Sequence, residues 1–185
     1  MEKYTVLLVD DEEEVSQIIR KKINWEELGF SVIGYADNGI KALEMVEELQ
    51  PNIVMTDIKM PYMDGMELAN RIKTDYPATK ILIFTGFDEF EYAKEAVHLE
   101  VEEYILKPAS RMELTRVFTR LKEKLDQEIH ERKNVEILQK YYLDSLPLLQ
   151  ANFYTTLVEG KIREEEIPKF LSDYQISFSG SFFCC

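Results

Sequence analysis

Tyr4–Val9 (YTVLLV) is a short apolar run that stops at Asp10 and Asp11, and the polar stretch behind it carries Val15, Ile18, Ile19 and Ile23 at helical spacing. The pattern predicts strand, loop, helix. It then recurs. Residues 31–36 and 52–56 read as strands, each followed by a helical pattern, first with Ala42, Leu43, Val46 and Leu49, then with Met66, Leu68, Ala69 and Ile72. Residues 80–84 (KILIF) and Glu103–Leu106 (EYIL) complete five strands, with amphipathic helices near 89–97 and from Ser110 onward. Strands that alternate with helices pair in parallel, because parallel neighbours need crossover connections. The predicted fold class is therefore α/β, a doubly wound five-stranded parallel sheet with five helices on its two faces.

Such sheets bind ligands outside the carboxyl ends of their strands, where the winding reverses. Asp10 and Asp11 follow the first strand, Asp57 the third, Thr85 the fourth and Lys107 the fifth, so five polar side chains fall at one edge.

The fifth helical pattern does not stop with the sheet. Leu114, Val117, Leu121, Leu125, Ile129, Val135, Leu138 and Tyr142 extend an apolar stripe, with neither Gly nor Pro before Pro147. The spacing is too irregular for a perfect heptad. The favoured reading is a long linker helix paired with its copy as a coiled coil, the alternative a single solvated helix folded back on its own domain. Beyond it, residues 148–185 read as a helix stopped by Gly160, a short acidic helix with Pro168 near its start, and a strand from Gln175 or Ile176. Phe182, Phe183, Cys184 and Cys185 resemble the interior of a strand, which predicts that the natural protein continues. The expected organisation is a sheet domain over 1–125, a helical linker over 111–146 that continues its last helix, and the start of a truncated intermediate domain over 147–185.

Composition narrows the chemistry. The chain has 185 residues and a formal net charge of −13. Residues 1–110 hold 11 basic and 23 acidic side chains, residues 111–140 hold 8 and 6, and residues 141–185 hold 3 and 6. So acidic a surface repels phosphate backbones, which argues against nucleic-acid binding by this segment, but it suits a metal cation. The only two cysteines are adjacent, which supports neither a disulfide framework nor a zinc site. No signal peptide or bilayer-length apolar run is present, so the cytoplasm is the expected location and no membrane contact is expected.

Three carboxylates crowded at one sheet edge should repel one another and raise each other's pKa unless a cation sits among them. Mg²⁺ suits Asp10, Asp11 and Asp57, because it takes hard oxygen ligands and accepts phosphate oxygens in its remaining positions. Asp57 ends the strand expected to be the most buried (IVMTD), where a carboxylate can be held for in-line attack on phosphorus. Thr85 and Lys107 would supply a hydroxyl and an ammonium to the transferred oxygens. Structural roles are open to the same residues: Asp57 as a turn cap, Asp10 or Asp11 as a helix N-cap, Thr85 as a turn hydroxyl and Lys107 as a surface lysine.

The segments VLLVDDE (6–12), MTDIKMPYMDG (55–65), ILIFTGFDEFEYAKEA (81–96) and EEYILKP (102–108) resemble, in order and spacing, the receiver domain of two-component response regulators, over residues 1 to about 125. The resemblance implies a flavodoxin-like receiver fold and a phosphoprotein that takes its phosphoryl group from a sensor histidine kinase. By position, Asp57 would be the phosphoacceptor, and Asp10, Asp11, Asp57 and the backbone carbonyl of Lys59 would hold Mg²⁺. Thr85 and Lys107 would contact the phosphoryl group, Thr85 and Tyr104 would be the switch pair, and the bond before Pro108 would be cis. INWEELGFSVIGYADNG (23–39), the GFDEFEYAKEA stretch and the long helix further resemble regulators in which a receiver, a helical linker and a small intermediate domain precede an AraC-type helix-turn-helix reader. The reader is absent from this chain, so DNA would be reached only through a further C-terminal domain.

The expected function is a phosphorylation-controlled transcriptional response regulator that is not itself an enzyme, dimerised through its linker. Two alternatives stand beside it, a Mg²⁺-dependent aspartyl-phosphate phosphohydrolase and a stand-alone phosphorelay intermediate. Against the first, Lys59 stands two residues after Asp57, where such an enzyme needs an acid/base carboxylate. The long linker argues against the second. His98 reads as the C-terminal residue of the fourth helix, His130 as a solvated face residue, Glu12 as a first-turn residue, and Trp25 as the anchor between the first helix and second strand.

Overall fold

The computed structural model describes residues 3–86 and 90–177. Chain order gives β1 (Tyr4–Val9), α1 (Glu13–Lys22), β2 (Phe30–Ala36), α2 (Gly39–Leu49), β3 (Ile53–Thr56), α3 (Gly65–Asp75), β4 (Lys80–Thr85), α4 (Phe90–His98), β5 (Glu103–Leu106) and α5 (Arg111–Val158). A 3₁₀ turn, Glu164–Glu166, and α6 (Ile167–Asp173) follow. Each of the five strands predicted for the sheet is present, with ends shifted by a residue at most. The chain divides into two compact units, Met1–Asp126 and Gln127–Cys185.

In the first unit the strands lie in the order β2-β1-β3-β4-β5, all parallel. The chain winds from β1 to β2 on one side, then crosses back to β3 on the other. The reversal therefore falls between β1 and β3, and the crevice beyond their carboxyl ends is where Asp10 and Asp57 emerge.

Alternation along the strands divides the core in two. Val6 and Leu8 of β1 join Ile19, Trp25, Phe30, Leu114, Phe118 and Leu121 on the α1/α5 face. Leu7 and Val9 join Ala42, Val46, Leu68, Ile72 and Ala96 on the face covered by α2, α3 and α4. Trp25 anchors its corner as expected: its indole N–H donates to Arg20 O (3.2 Å), and its ring meets Phe118 edge-on at 4.6 Å. Helix starts follow local chemistry. Asn38 and Asp64 accept from the Lys41 and Glu67 amides (2.9 and 2.7 Å), and Ser110 and Glu113 form a reciprocal capping box at the start of α5.

Helix α5 corrects two expectations. Leu114, Val117, Leu121 and Leu125 are buried in the core of the first unit, so half of the stripe assigned to pairing between copies instead covers the sheet. Ile129, Val135, Leu138 and Tyr142, the other half of the stripe, are 40–67% exposed. Second, the helix does not yield at Pro147 but runs through it to Val158. Proline removes one helical hydrogen bond. Burial of Leu146 and Phe153 on either side offsets that loss, and Phe153 stacks near Phe170 and Tyr174 at 5.9 and 6.3 Å.

Elsewhere in the second unit, Gly160 (φ +67°) follows α5 as the expected stop, and Pro168 opens α6. Gln175 takes φ +52°, and no strand begins at Gln175 or Ile176 within the described residues. The rest of that expected strand, with Phe182 to Cys185, lies outside them, as does residue 89 at the start of the fourth helical pattern.

Candidate functional site

Ladder hydrogen bonds carry the strands one residue past their ends and set the acidic pair side by side. The Asp10 amide donates to Ala36 O (3.0 Å) and the Asp57 amide to Val9 O (2.9 Å). Both side chains are buried, at 3% and 6% exposure. Their carboxylates are oriented from behind. Asp10 Oδ1 accepts from the Glu12 amide (2.9 Å) and Asp57 Oδ1 from the Ile58 amide (2.6 Å), leaving both Oδ2 atoms facing the crevice.

Lys107 reaches into that crevice from the end of β5. Its ammonium donates to Asp10 Oδ2 and to Asp57 Oδ2, at 2.7 Å each. The Lys107 amide donates to Thr85 O (2.8 Å), tying it to the end of β4, and the Lys107–Pro108 bond is cis. Asp11 is exposed and completes the cluster: Asp10, Asp11 and Asp57 each offer a carboxylate oxygen, all within 4.8 Å of one another.

Burial is the main cause that pushes the Asp10 carboxyl above the usual carboxylate range, against the hydrogen bonds from Lys107 and the Glu12 amide. The charge of Asp57 adds to the rise least of all. Mutual repulsion, expected from the sequence as the cause, is thus secondary, because an ammonium stands between the two carboxylates. Burial works against the Lys107 cation too. Hydrogen bonds to Asp10 and Asp57, and their charges, outweigh it and hold the Lys107 pKa above the ordinary lysine value.

The remaining predicted residues surround this centre. Thr85 is fully buried at the end of β4, and Tyr104 is half-buried against the α2/α3/α4 side of the core. Lys59 lies on the loop after β3, with its ammonium 6.0 Å from the centre of the Tyr92 ring. His98 ends α4 and His130 is exposed.

Three supporting residues escape sequence reasoning. The Tyr35 hydroxyl donates to Asp10 O (2.6 Å), and the Thr56 hydroxyl to Asp57 O (2.8 Å). Gly65 opens α3 with its amide donating to Ile58 O (2.7 Å), and a Cβ there would lie 1.9 Å from Asp57 O. Only the Gly65 role had an available signal, in the glycine that ends MTDIKMPYMDG. Nothing in the sequence marks Tyr35 or Thr56.

The chemistry of this donor set fits a hard divalent cation. Two buried carboxylates and one exposed carboxylate supply anionic oxygens on one side and leave the solvent side open for waters or phosphate oxygens.

Known proteins resemble this chain in sequence and in fold. The response regulator receiver domain model matches residues 6–119. The uncharacterized transcriptional regulatory protein YesN of Bacillus subtilis is 39% identical over 163 residues, an alignment covering 86% of this chain and 42% of YesN. An uncharacterized response regulatory protein of Staphylococcus epidermidis is 31% identical over 164 residues, covering 87% of this chain and 63% of that protein. The chain therefore spans less than two thirds of the length of these relatives. Among solved structures, the REC domain of AraT, a response regulator from Geobacillus stearothermophilus, is 38% identical with a TM-score of 0.64, covering 68% of this chain and 97% of that domain. With the sheet order, the crevice and the matched segment in accord, the chain belongs to the response regulator receiver domain family of two-component systems, and transcriptional regulators are among its relatives.

Proposed function

We propose that this chain is the receiver and linker portion of a transcriptional response regulator that accepts a phosphoryl group from a sensor histidine kinase on Asp57. The observation that carries this reading is the Lys107 ammonium held 2.7 Å from both Asp10 and Asp57, beside the exposed carboxylate of Asp11. In the transfer, a carboxylate oxygen of Asp57 attacks phosphorus, the P–O bond forms as the P–N bond to the kinase imidazole breaks, and the electron pair leaves with that imidazole. Lys107 supplies positive charge where the phosphoryl oxygens accumulate negative charge, and the Thr85 hydroxyl is the second donor to them. Asp10, Asp11, Asp57 and the Lys59 carbonyl would hold Mg²⁺, which when bound neutralises the acidic pocket and coordinates phosphoryl oxygens.

The product adds charge and acceptor oxygens at the crevice, and Thr85 and Tyr104 respond as the switch pair. Output passes to the linker. Ile129, Val135, Leu138 and Tyr142 present apolar surface that a second copy of the helix would bury, and DNA would be bound by a separate C-terminal domain. No helix among the described residues is long and apolar enough to cross a membrane. The chain acts as a switch and not as an enzyme, since Lys59 occupies the place a phosphohydrolase gives to its acid/base carboxylate.

Incubation with Mg²⁺ and acetyl phosphate, followed by intact-mass measurement, tests the reading. The expected result is one added phosphoryl group, lost in Asp57→Asn. Equal labelling of the variant would place the acceptor elsewhere, and release of phosphate from many donor equivalents would favour the phosphohydrolase.

A further inference from the structure

Between α2 and α3 lies a concavity of about 320 Å³ that the phosphoacceptor chemistry does not use. Met63 and the half-buried Leu43 form its base, and Ile40, 47% exposed, lies at its edge. Tyr62 also lines it, 86% exposed.

Tyr62 sits there at a cost. Its φ of +70° is a conformation that a bulky residue adopts only when its surroundings impose it. Those surroundings are visible. The Met63 amide donates to Pro61 O (2.9 Å), closing a tight turn behind the tyrosine. Met63 in turn packs so closely on Gly39, at the start of α2, that a Cβ there would lie 2.6 Å from Met63 O. The loop from Asp57 to α3 is thus pinned to α2, and the pinned conformation displays an aromatic side chain to solvent. Exposed tyrosine beside partly exposed aliphatic side chains is the composition of an interface anchor.

The rim defines the partner. Glu44, Glu47 and Glu67 line the concavity, and its one cation, Arg71, is held by Glu67 at 2.7 Å. Among the described residues, Glu44 and Glu47 have no cationic partner. An apolar base with an acidic rim complements a ligand that is apolar on one side and basic on the other. A groove between two helices accepts a third helix by the packing of ridges into grooves. The same acidity disfavours nucleic acid and the acidic face of a second copy.

We propose that the α2/α3 groove is a docking surface for a basic amphipathic helix of a partner protein, anchored by Tyr62 and flanked by Glu44 and Glu47. The proposal stands apart from the phosphoacceptor reading and does not require it.

The test uses the full chain and two synthetic helical peptides, one with leucines at i, i+3, i+4 and i+7 and lysines elsewhere, the other with glutamates in place of the lysines. Amide chemical shifts locate binding and titration gives affinity. The lysine peptide should shift Ile40, Leu43, Tyr62 and Met63. Tyr62→Ser should weaken it about tenfold or more. Glu44→Gln with Glu47→Gln should weaken it several-fold and reduce its salt dependence, whereas Glu164→Gln with Glu165→Gln, an equal charge change in the second unit, should leave it unchanged. Shifts centred elsewhere, equal binding of the glutamate peptide, full affinity in Tyr62→Ser, or equal losses in the two glutamate pairs would each overturn the proposal.

Discussion

Gly65→Ala separates a close-approach role from ordinary helix propensity, because the two predict opposite signs. At the first position of an exposed helix, alanine in place of glycine should stabilise by up to about 1 kcal/mol. Here the new Cβ would stand 1.9 Å from Asp57 O, 2.9 Å from Asp57 C and 3.1 Å from Ile58 Cα. All three are backbone atoms, so no side-chain rotation relieves the contact. Relief requires the β3–α3 loop to move by about an ångström, against the Gly65–Ile58 and Asp57–Val9 hydrogen bonds. Forced repacking of this kind costs about 2–3 kcal/mol. With a urea m-value of about 1–3 kcal/mol/M, the midpoint should fall by roughly 1–2 M. Trp25, the only tryptophan and buried in the first unit, reports that transition by fluorescence. The same shift moves Asp57 relative to Lys107, and a misplacement of about 1 Å can lower a positioned reaction by about a hundredfold. Labelling from acetyl phosphate should therefore slow by one to two orders of magnitude. A midpoint equal to or above the parent's, with an unchanged labelling rate, would refute the close-approach argument.

Lys107→Ala leaves Asp10 and Asp57 buried without their shared ammonium, and breaking such a pair costs about 3–5 kcal/mol in the metal-free chain. Urea titrations should show that loss, with millimolar Mg²⁺ restoring part of it, and an unchanged midpoint would contradict the electrostatic account. Mg²⁺ should raise the melting temperature of the parent chain by mass action, and Asp11→Asn should weaken that rise. Thermal scans with and without the metal decide this, and no metal-dependent shift would remove the motive for the site. Val135→Ser with Leu138→Ser should weaken self-association by at least about a hundredfold, since each exposed aliphatic side chain is worth about 1.5–3 kcal/mol when buried and the dimer loses both in each copy. Sedimentation should show this loss and should find a chain ending at Asp126 monomeric, whereas dimers of equal affinity in all three would place the interface outside the linker.

The strands and the acidic edge were legible because their signals are local. Period-two and unbroken apolar runs ending at Asp10, Asp57 and Lys107 carry both the sheet and its carboxyl edge, and the doubly wound rule does the rest. What covers an apolar stripe was not legible. Leu114 to Leu125 and Ile129 to Tyr142 look alike in sequence, yet the first group covers the sheet and the second is left exposed. Pro147 looked like a boundary because its effect is local, whereas burial of Leu146 and Phe153 depends on residues some distance along the chain. In the site, the roles of Tyr35 and Thr56 depend on backbone carbonyls that only the fold brings within reach. The leading cause of the raised Asp10 pKa, burial, is likewise a property of packing rather than of the neighbouring aspartates.

Borohydride trapping identifies the phosphoacceptor chemically. It reduces an aspartyl phosphate to homoserine, so the acceptor is written into the sequence and read by peptide mass spectrometry. After incubation with Mg²⁺ and acetyl phosphate, homoserine is expected at position 57, markedly reduced when Lys107 is replaced by alanine. Homoserine at another aspartate, or none in a chain that has gained a phosphoryl group, would contradict Asp57 as the acceptor.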